Sequence, residues 1–109
     1  MTELEIHPQE VKRLLDSGEA VRMLDVREPF EHEQASIRSA QLIPMREVPQ
    51  SLDKLRAGDG LLVVFCHHGI RSLQVVEWLR RQGVDRCASM AGGIDRWSLE
   101  MDPAVPRYF

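Results

Sequence analysis

One cysteine stands where an apolar strand pattern runs into a glycine-containing loop. Residues 61–65 are all apolar, and Cys66 follows them directly. His67-His68-Gly69-Ile70-Arg71 then precedes a helical pattern that begins at Ser72. A cysteine in this position lies at the carboxyl end of a buried strand and faces the amino end of a helix, whose free N–H groups and partial positive charge stabilise an anion. The pattern therefore indicates a site for a thiolate or for an anion bound beside it.

The residues after Cys66 have the properties of an anion-binding loop. Consecutive backbone N–H groups in a tight loop can turn inward around an anion, and Gly69 adopts the necessary backbone angles at little cost. Arg71 adds a full positive charge. A cysteine that merely packs in the core is the alternative after an apolar run, but such a cysteine does not need this loop. We therefore expect Cys66 to be reactive.

The length of the loop separates two anion chemistries. Four residues lie between Cys66 and Arg71, one fewer than in the loops of protein tyrosine phosphatases. A shorter loop encloses less space, which suits a single sulfur atom, as in a persulfide Cys–S–S⁻, better than a tetrahedral phosphate. A small phosphatase or arsenate reductase remains the less favoured alternative.

Length and composition favour one soluble domain. The chain has 109 residues and a formal net charge of −3, which disfavours nucleic acid as a partner. No run approaches the ~20 apolar residues of a membrane span, and the acidic first residues do not resemble a secretory signal. Cys66 and Cys87 are too few for a disulfide framework. We therefore expect a cytoplasmic protein with reduced thiols and no membrane partner.

Strand patterns alternate with helical patterns along the whole chain, which predicts an α/β domain with a mainly parallel sheet. The domain is expected to span residues 1–109, with its core at about 6–97. The aromatic end of a proline-containing tail, 102–109, is expected to dock on the domain. The predicted strands are 4–6, 21–26, 40–44, 61–65 and 86–90, and the predicted helices are 8–17, 28–35, 45–55, 72–82 and a short one around Trp97.

Three motifs, in this order and spacing, resemble the rhodanese family in its small single-domain form. They are Leu24-Asp25-Val26-Arg27-Glu28, the six residues from Cys66 to Arg71, and Ala91-Gly92-Gly93-Ile94-Asp95-Arg96-Trp97. The resemblance covers about Ile6 to Trp97 and implies a five-stranded, mainly parallel sheet with helices on both faces. Ala35-Ser36-Ile37-Arg38-Ser39-Ala40 departs from the family's Gly-His-Ile-Pro-Gly-Ala stretch, so the local backbone there is open.

The resemblance also implies roles for individual residues. Cys66 would be the sulfur-bearing nucleophile, and Arg27 would either bind an anionic donor or hold local structure through Asp25 and Glu28. Adjacent side chains in a tight loop diverge, so neither histidine is placed as a base for Cys66; no metal and no cofactor are expected. Cys87 is expected in the core, with a resolving thiol as the alternative. The residues expected to bind substrate are His67, His68, Gly69, Ile70, Arg71 and Arg27.

The activity implied by the resemblance is sulfur transfer in two steps. Cys66 would take a sulfane sulfur from a small anionic donor such as thiosulfate and pass it to cyanide or a thiol. A protein of a sulfur relay is a further candidate partner, and a monomer or weak dimer is expected. The alternative from another class is a non-enzymatic sensing or docking module that keeps the fold.

Overall fold

In the computed structural model, which describes residues 3–109, five strands alternate with five α-helices and one 3₁₀ segment. Within this range the strands lie in the order β1-β5-β4-β2-β3, and every neighbouring pair is parallel. The predicted α/β fold is confirmed, with a sheet that is entirely parallel. The elements are β1 Glu5–Ile6, α1 Pro8–Asp16, β2 Val21–Asp25, α2 Pro29–Gln34, β3 Gln41–Leu42, the 3₁₀ segment Met45–Ser51, α3 Leu52–Ala57, β4 Leu61–Phe65, α4 Ile70–Arg81, β5 Cys87–Met90 and α5 Gly93–Glu100.

The central strand β4 is buried on both faces of the sheet, as its unbroken apolar pattern predicts. Its residues are between 0 and 8% exposed. Alternate side chains of a strand point to opposite faces, so Val63 and Phe65 join one core cluster, while Val64 and Cys66 join the other. The first cluster includes residues of α1 and α5, and the second includes residues of α3 and α4. The helices thus cover both faces.

The register of the sheet brings the ends of β2 and β4 to one edge. Asp25 pairs with Phe65, so the chain leaves both strands side by side, towards Arg27 and Cys66. In open parallel sheets this carboxyl edge is where ligands bind. The two motifs that flank these strand ends therefore meet in space.

Three elements differ from the sequence prediction by more than one residue at an end. The helix predicted over 45–55 is a 3₁₀ segment followed by α3, because Pro49 lies inside it and lacks the N–H that a regular helix requires. The strand predicted over 40–44 is Gln41–Leu42. The helix predicted from Ser72 begins at Ile70.

The carboxyl-terminal tail packs back on the domain. Val105 is 8% exposed and belongs to the core cluster of α1 and α5, with Tyr108 packed against it. The hydroxyl of Ser98 donates to the carbonyl oxygen of Val105. Docking of the aromatic end is confirmed for Tyr108, whereas Phe109 is 97% exposed. Between residues 3 and 109, no helix combines the length and the apolar character needed to cross a membrane.

Candidate active site at the end of β4

The thiol of Cys66 lies where β4 meets α4. Cys66 directly follows β4 and is 1% exposed. Gly69 adopts a φ of +103° at the residue that precedes α4. A side chain would be strained at this φ, and a Cβ would approach the backbone nitrogen of Gly92 to 3.3 Å. The prediction that the loop needs the backbone freedom of glycine here is confirmed. Residues Cys66–Arg71 are called the cysteine loop below.

Polar hydrogens converge on the sulfur of Cys66. The backbone N–H of Gly69 donates to Sγ at 3.1 Å, and the N–H of Ser72, in the first turn of α4, donates at 3.4 Å. The Ser72 hydroxyl lies 3.5 Å from the same sulfur and is held by the Ser89 hydroxyl of β5 at 2.7 Å. Donors that converge on one atom form a site that suits an anion at this position.

The first carbonyl oxygens of the cysteine loop are bound elsewhere. The oxygen of Cys66 accepts from the N–H of Ile94 at 2.8 Å, and that of His67 accepts from Asp95 at 3.1 Å. Both donors belong to the first turn of α5, whose N–H groups have no partners within the helix. Gly93 allows this approach, because its φ is +63° and a Cβ there would overlap both carbonyl oxygens. The double glycine thus fixes the cysteine loop with its acceptors turned to α5.

The guanidinium of Arg71 contacts a carboxylate on α2. Its Nη1 and Nη2 donate to the two carboxylate oxygens of Glu31 at 2.7 and 2.9 Å. Glu31 is buried and also accepts from the N–H of Glu28 at 3.1 Å and from the hydroxyl of Tyr108 at 2.7 Å. The hydrogen bonds from Arg71 lower the pKa of Glu31 from 4.5 to about 2. The positive charge predicted for the cysteine loop is therefore present but paired.

Arg27 is a structural residue, which corrects its prediction as a donor-binding residue. Its side chain is 0% exposed, and Nε and Nη2 form a bidentate pair with Asp25 at 2.8 and 2.7 Å. The remaining donors bind the carbonyl oxygens of Glu31 and Ala35 and the hydroxyl of Tyr108. A guanidinium has five N–H donors, so none is left for a substrate. The predicted partner Asp25 is present; Glu28 pairs with Arg46 instead.

Three stacked rings form one side of the cysteine loop. The His67 ring lies 3.8 Å from the His68 ring and 3.9 Å from the Tyr108 ring, between centroids. Nε2 of His67 lies 2.8 Å from the carbonyl oxygen of Tyr108. Burial and the neighbouring His68 lower the pKa of His67, which favours the neutral imidazole. In residues 3–109 neither imidazole hydrogen-bonds to the thiol, but the prediction that the two side chains diverge is wrong, because their rings stack on each other.

A group of potential metal ligands lies beside these rings. One atom from each of His67, His68 and Asp95 lies within 4.8 Å of the others. The carboxylate of Asp95 is paired with Arg107 at 2.9 Å, and His67 has its own protein partner. The absence of a metal from the chemistry of this site stays a prediction.

Cys87 lies far from the thiol of Cys66. It pairs across the sheet with Leu62, four residues before Cys66 along β4, which places the two cysteines about 13 Å apart at the ordinary rise of a strand. Cys87 is fully buried, and burial raises the pKa of its thiol. It is a core residue, and the alternative of a resolving thiol is wrong.

The sequence prediction did not name as site residues four residues that hydrogen-bond around the cysteine loop. Ser72 was within reach of prediction, because the first turn of a helix supplies free N–H groups. Glu31 has a weak sequence signal as the third residue of a capping box that begins at Glu28. No local pattern connects Ser89 with Ser72 or Tyr108 with Glu31, because these contacts exist only in the folded chain.

Comparison with known proteins is consistent with this geometry. The sequence matches the rhodanese-like domain family over residues 7–100. It is 32% identical to a protein named sulfurtransferase from Allochromatium vinosum, over 93% of this chain and 94% of that one. It is also 37% identical to the chloroplastic rhodanese-like/PpiC domain-containing protein 12 of Arabidopsis thaliana. That match covers 80% of this chain but only 30% of the relative's length. A rhodanese-related protein from Thermoplasma volcanium superposes with a TM-score of 0.80 and 33% identity, covering 95% of this chain and 98% of that one.

Proposed function

Because this chain belongs to the rhodanese-like domain family, we propose that it is a sulfurtransferase that carries a sulfane sulfur on Cys66 as a persulfide. Thiosulfate is the test donor, and cyanide or a thiol is the acceptor. The observation that carries the proposal is the pair of backbone N–H groups on Cys66 Sγ, from Gly69 at 3.1 Å and Ser72 at 3.4 Å.

The transfer proceeds in two steps. In the first, the Cys66 thiolate attacks the outer sulfur of thiosulfate, the S–S bond of the donor breaks, and sulfite leaves with the electron pair: Cys66–S⁻ + S–SO₃²⁻ → Cys66–S–S⁻ + SO₃²⁻. In the second, the acceptor attacks the outer sulfur of the persulfide and restores the thiolate: Cys66–S–S⁻ + CN⁻ → Cys66–S⁻ + SCN⁻. The balance requires no oxidant and no cofactor.

The geometry of the cysteine loop supports both steps. Hydrogen bonds from Gly69 and Ser72 stabilise charge on the attacking sulfur, and the amino end of α4 adds its partial positive charge. In the persulfide, the outer sulfur lies about 2 Å beyond Sγ, and we expect backbone N–H groups of the cysteine loop to donate to it. The carbonyl oxygens of Cys66 and His67, bound to α5, do not repel this charge.

Mass spectrometry after exposure to thiosulfate tests the proposal. We expect one added sulfur atom on the peptide that contains Cys66 and release of thiocyanate when cyanide is added. Cys66→Ala abolishes both signals while the protein still unfolds cooperatively. Cys87→Ala is the matched control, because it removes the other thiol from a position about 13 Å away, and it retains both signals.

Three outcomes would contradict the proposal. A folded protein that forms no persulfide with any sulfane-sulfur donor would point to the non-enzymatic module. Hydrolysis of a phosphate ester that depends on Cys66, without sulfur transfer, would point to the phosphatase. Thiocyanate production by the Cys66→Ala variant would show that the chemistry does not use this thiol.

A further inference from the structure

The carboxyl-terminal tail carries a tyrosine that contacts both ends of the cysteine loop. At the first end, the ring of Tyr108 stacks on the ring of His67, with 3.9 Å between centroids and 9° between planes. Nε2 of His67 also lies 2.8 Å from the backbone carbonyl oxygen of Tyr108. Because a carbonyl oxygen only accepts, Nε2 carries the proton and donates it to the tail. Both the ring and the backbone of Tyr108 therefore hold the residue that follows Cys66.

At the other end, the hydroxyl of Tyr108 reaches Arg71 through one carboxylate. The hydroxyl accepts from Nη1 of Arg27 at 2.9 Å, because a guanidinium has donors only. Its single proton is therefore donated to Oε2 of Glu31, at 2.7 Å. Glu31 in turn accepts from both terminal nitrogens of Arg71, at 2.7 and 2.9 Å. Burial raises the pKa of Tyr108 to about 12, so the hydroxyl keeps this proton at neutral pH.

The tail that carries Tyr108 is itself anchored to the domain. The side chain of Val105 is 8% exposed in the core, and its carbonyl oxygen accepts from the hydroxyl of Ser98. Arg107 pairs at 2.9 Å with Asp95 of α5. The backbone that leads to Tyr108 is thus fixed on two elements, and contacts made from it can restrain the cysteine loop.

The surroundings of the thiol depend on the backbone between these two ends. Both N–H donors to Sγ of Cys66 are backbone groups, from Gly69 at 3.1 Å and from Ser72 at 3.4 Å. Gly69 lies inside the cysteine loop, and Ser72 directly follows Arg71. A backbone donor has no side-chain torsion that could restore its direction, so a shift at either end moves the donors relative to the sulfur. In an active site, a misplacement of about 1 Å can cost about a hundredfold in rate.

From these contacts we propose that Tyr108 is a positioning residue for the thiol, which acts by holding His67 and Arg71 at the two ends of the cysteine loop. The inference rests on the proposed sulfurtransferase function and adds to that site a residue from the tail. The ring of Tyr108 restrains the first end and its hydroxyl restrains the second, so substitutions can separate the two effects.

Two substitutions divide the action of Tyr108 between the ends of the cysteine loop. Tyr108→Phe keeps the ring against His67 and removes the hydroxyl from Glu31, so it loosens only the end at Arg71. Tyr108→Leu removes both the ring and the hydroxyl and loosens both ends. Single-turnover mass spectrometry follows persulfidation of Cys66 by thiosulfate, and it gives the rate at saturating thiosulfate and the concentration at half-saturation.

The saturating rate is expected to fall in two steps. We expect a loss of about tenfold in Tyr108→Phe, which corresponds to about 1.4 kcal/mol, and of about a hundredfold in Tyr108→Leu. The thiosulfate concentration at half-saturation should stay within about twofold of the native value, because a positioning residue affects the attack on the donor rather than its binding.

Two control variants separate positioning from general effects on the tail and on folding. Phe109→Ala alters the neighbouring tail residue, which is 97% exposed, and should keep the native saturating rate. Val84→Ala removes two methyl groups from a core position that is 6% exposed. Val84 precedes β5, at the opposite edge of the sheet from Cys66, so this variant lowers the free energy of unfolding and should still react at the native rate while folded.

Hydrogen exchange at the backbone N–H of Gly69 follows the cysteine loop without any sulfur chemistry. Loss of a contact that closes the loop makes its local opening less costly and its exchange faster. We expect exchange at Gly69 to be about tenfold faster in Tyr108→Leu than in the native protein. Val84→Ala should leave this exchange rate unchanged, because Val84 has no part in local opening of the loop.

Each contrary result has its own meaning. Native saturating rates in both Tyr108 variants, or equal losses in Tyr108→Leu and Val84→Ala, overturn the positioning role. A raised half-saturation concentration at an unchanged saturating rate also overturns it, because Tyr108 would then bind the donor. If the native protein forms no persulfide, the sulfurtransferase proposal fails, and exchange at Gly69 alone decides whether Tyr108 holds the loop. If Tyr108→Leu does not fold, Tyr108→Phe decides, since it keeps the ring and every backbone group.

Discussion

Replacement of Arg27 tests whether this buried arginine holds the fold or binds substrate. In Arg27→Met, the Asp25 carboxylate loses two hydrogen bonds, of 2.8 and 2.7 Å, to Nε and Nη2. The carbonyl oxygens of Glu31 and Ala35 and the hydroxyl of Tyr108 also lose a donor. Because Asp25 and Arg27 are both 0% exposed, water cannot replace the lost contacts without rearrangement of the core.

The expected loss of stability is large for a domain of this size. Breaking a buried ion pair by removing one partner costs about 3–5 kcal/mol, out of a total near 5–15 kcal/mol for an ordinary domain. Arg27→Lys keeps the charge but lacks the planar fork of five donors, so we expect a loss of about half that size. Urea unfolding at pH 7 and 25 °C measures both losses as changes in the free energy of unfolding.

An exposed arginine provides the control for these variants. Arg46 pairs with Glu28 at 2.5 Å, but its side chain is 62% exposed, and exposed pairs contribute about 0–1 kcal/mol. Arg46→Met should therefore change the free energy of unfolding by less than about 1 kcal/mol. The reasoning is refuted if Arg27→Met unfolds like the native protein while the KM for thiosulfate rises, because Arg27 would then be a donor-binding residue.

Two further predictions concern the residues that support the cysteine loop. Since the pKa of Glu31 falls from 4.5 in the unfolded chain to about 2 in the fold, its interactions with Arg71, Glu28 and Tyr108 together contribute about 3 kcal/mol above pH 4.5. That contribution is lost as the pH falls from 4.5 towards 2. The free energy of unfolding, measured in urea across this pH range, should therefore decline less steeply in Glu31→Gln than in the native protein. Equal slopes in the two proteins would count against the ion pair. Gly93→Ala should destabilise the protein by about 2–4 kcal/mol and slow persulfidation of Cys66. The left-handed backbone contributes about 1–2 kcal/mol of this as strain, and the rest comes from overlap of the new Cβ with two carbonyl oxygens. Gly83→Ala, at a φ of +89° with open space around it, should show the strain alone, and an equal loss in both variants would argue against close contact between α5 and the cysteine loop.

Local sequence patterns predicted the framework of this protein well. The unbroken apolar run of β4 indicates a strand buried on both faces, and each of its residues is at most 8% exposed. Gly69 after Cys66 indicates a backbone turn, and its φ is +103°. These features depend on neighbours within a few residues, so the chain specifies them before any tertiary contact forms.

The sequence predicted the helices and strands less well where two local patterns indicated different structures. The apolar spacing of 45–55 suggests one helix, but Pro49 divides it into a 3₁₀ segment and α3. Residues 35–40 lack the two glycines of the corresponding rhodanese-family stretch. Within them, Ser39 adopts a φ of +71°. Surrounding packing selects these backbone conformations, because Ala35 and Ile37 are buried in the core beside them.

By itself, the sequence determined where the proposed nucleophile lies, because a strand, a glycine turn and a helix start follow one another within a dozen residues around Cys66. Only the tertiary structure decided which carboxylate pairs with which arginine. Arg71 meets Glu31 from 40 residues away, and Tyr108 reaches Glu31 from 77 residues away. Several carboxylates and arginines are equivalent partners in the unfolded chain, and burial selects among them, since each charge removed from water needs a partner within hydrogen-bond distance. That selection assigned Arg27 to the core and left Cys66 facing backbone N–H groups at an entrance whose nearby arginines are paired.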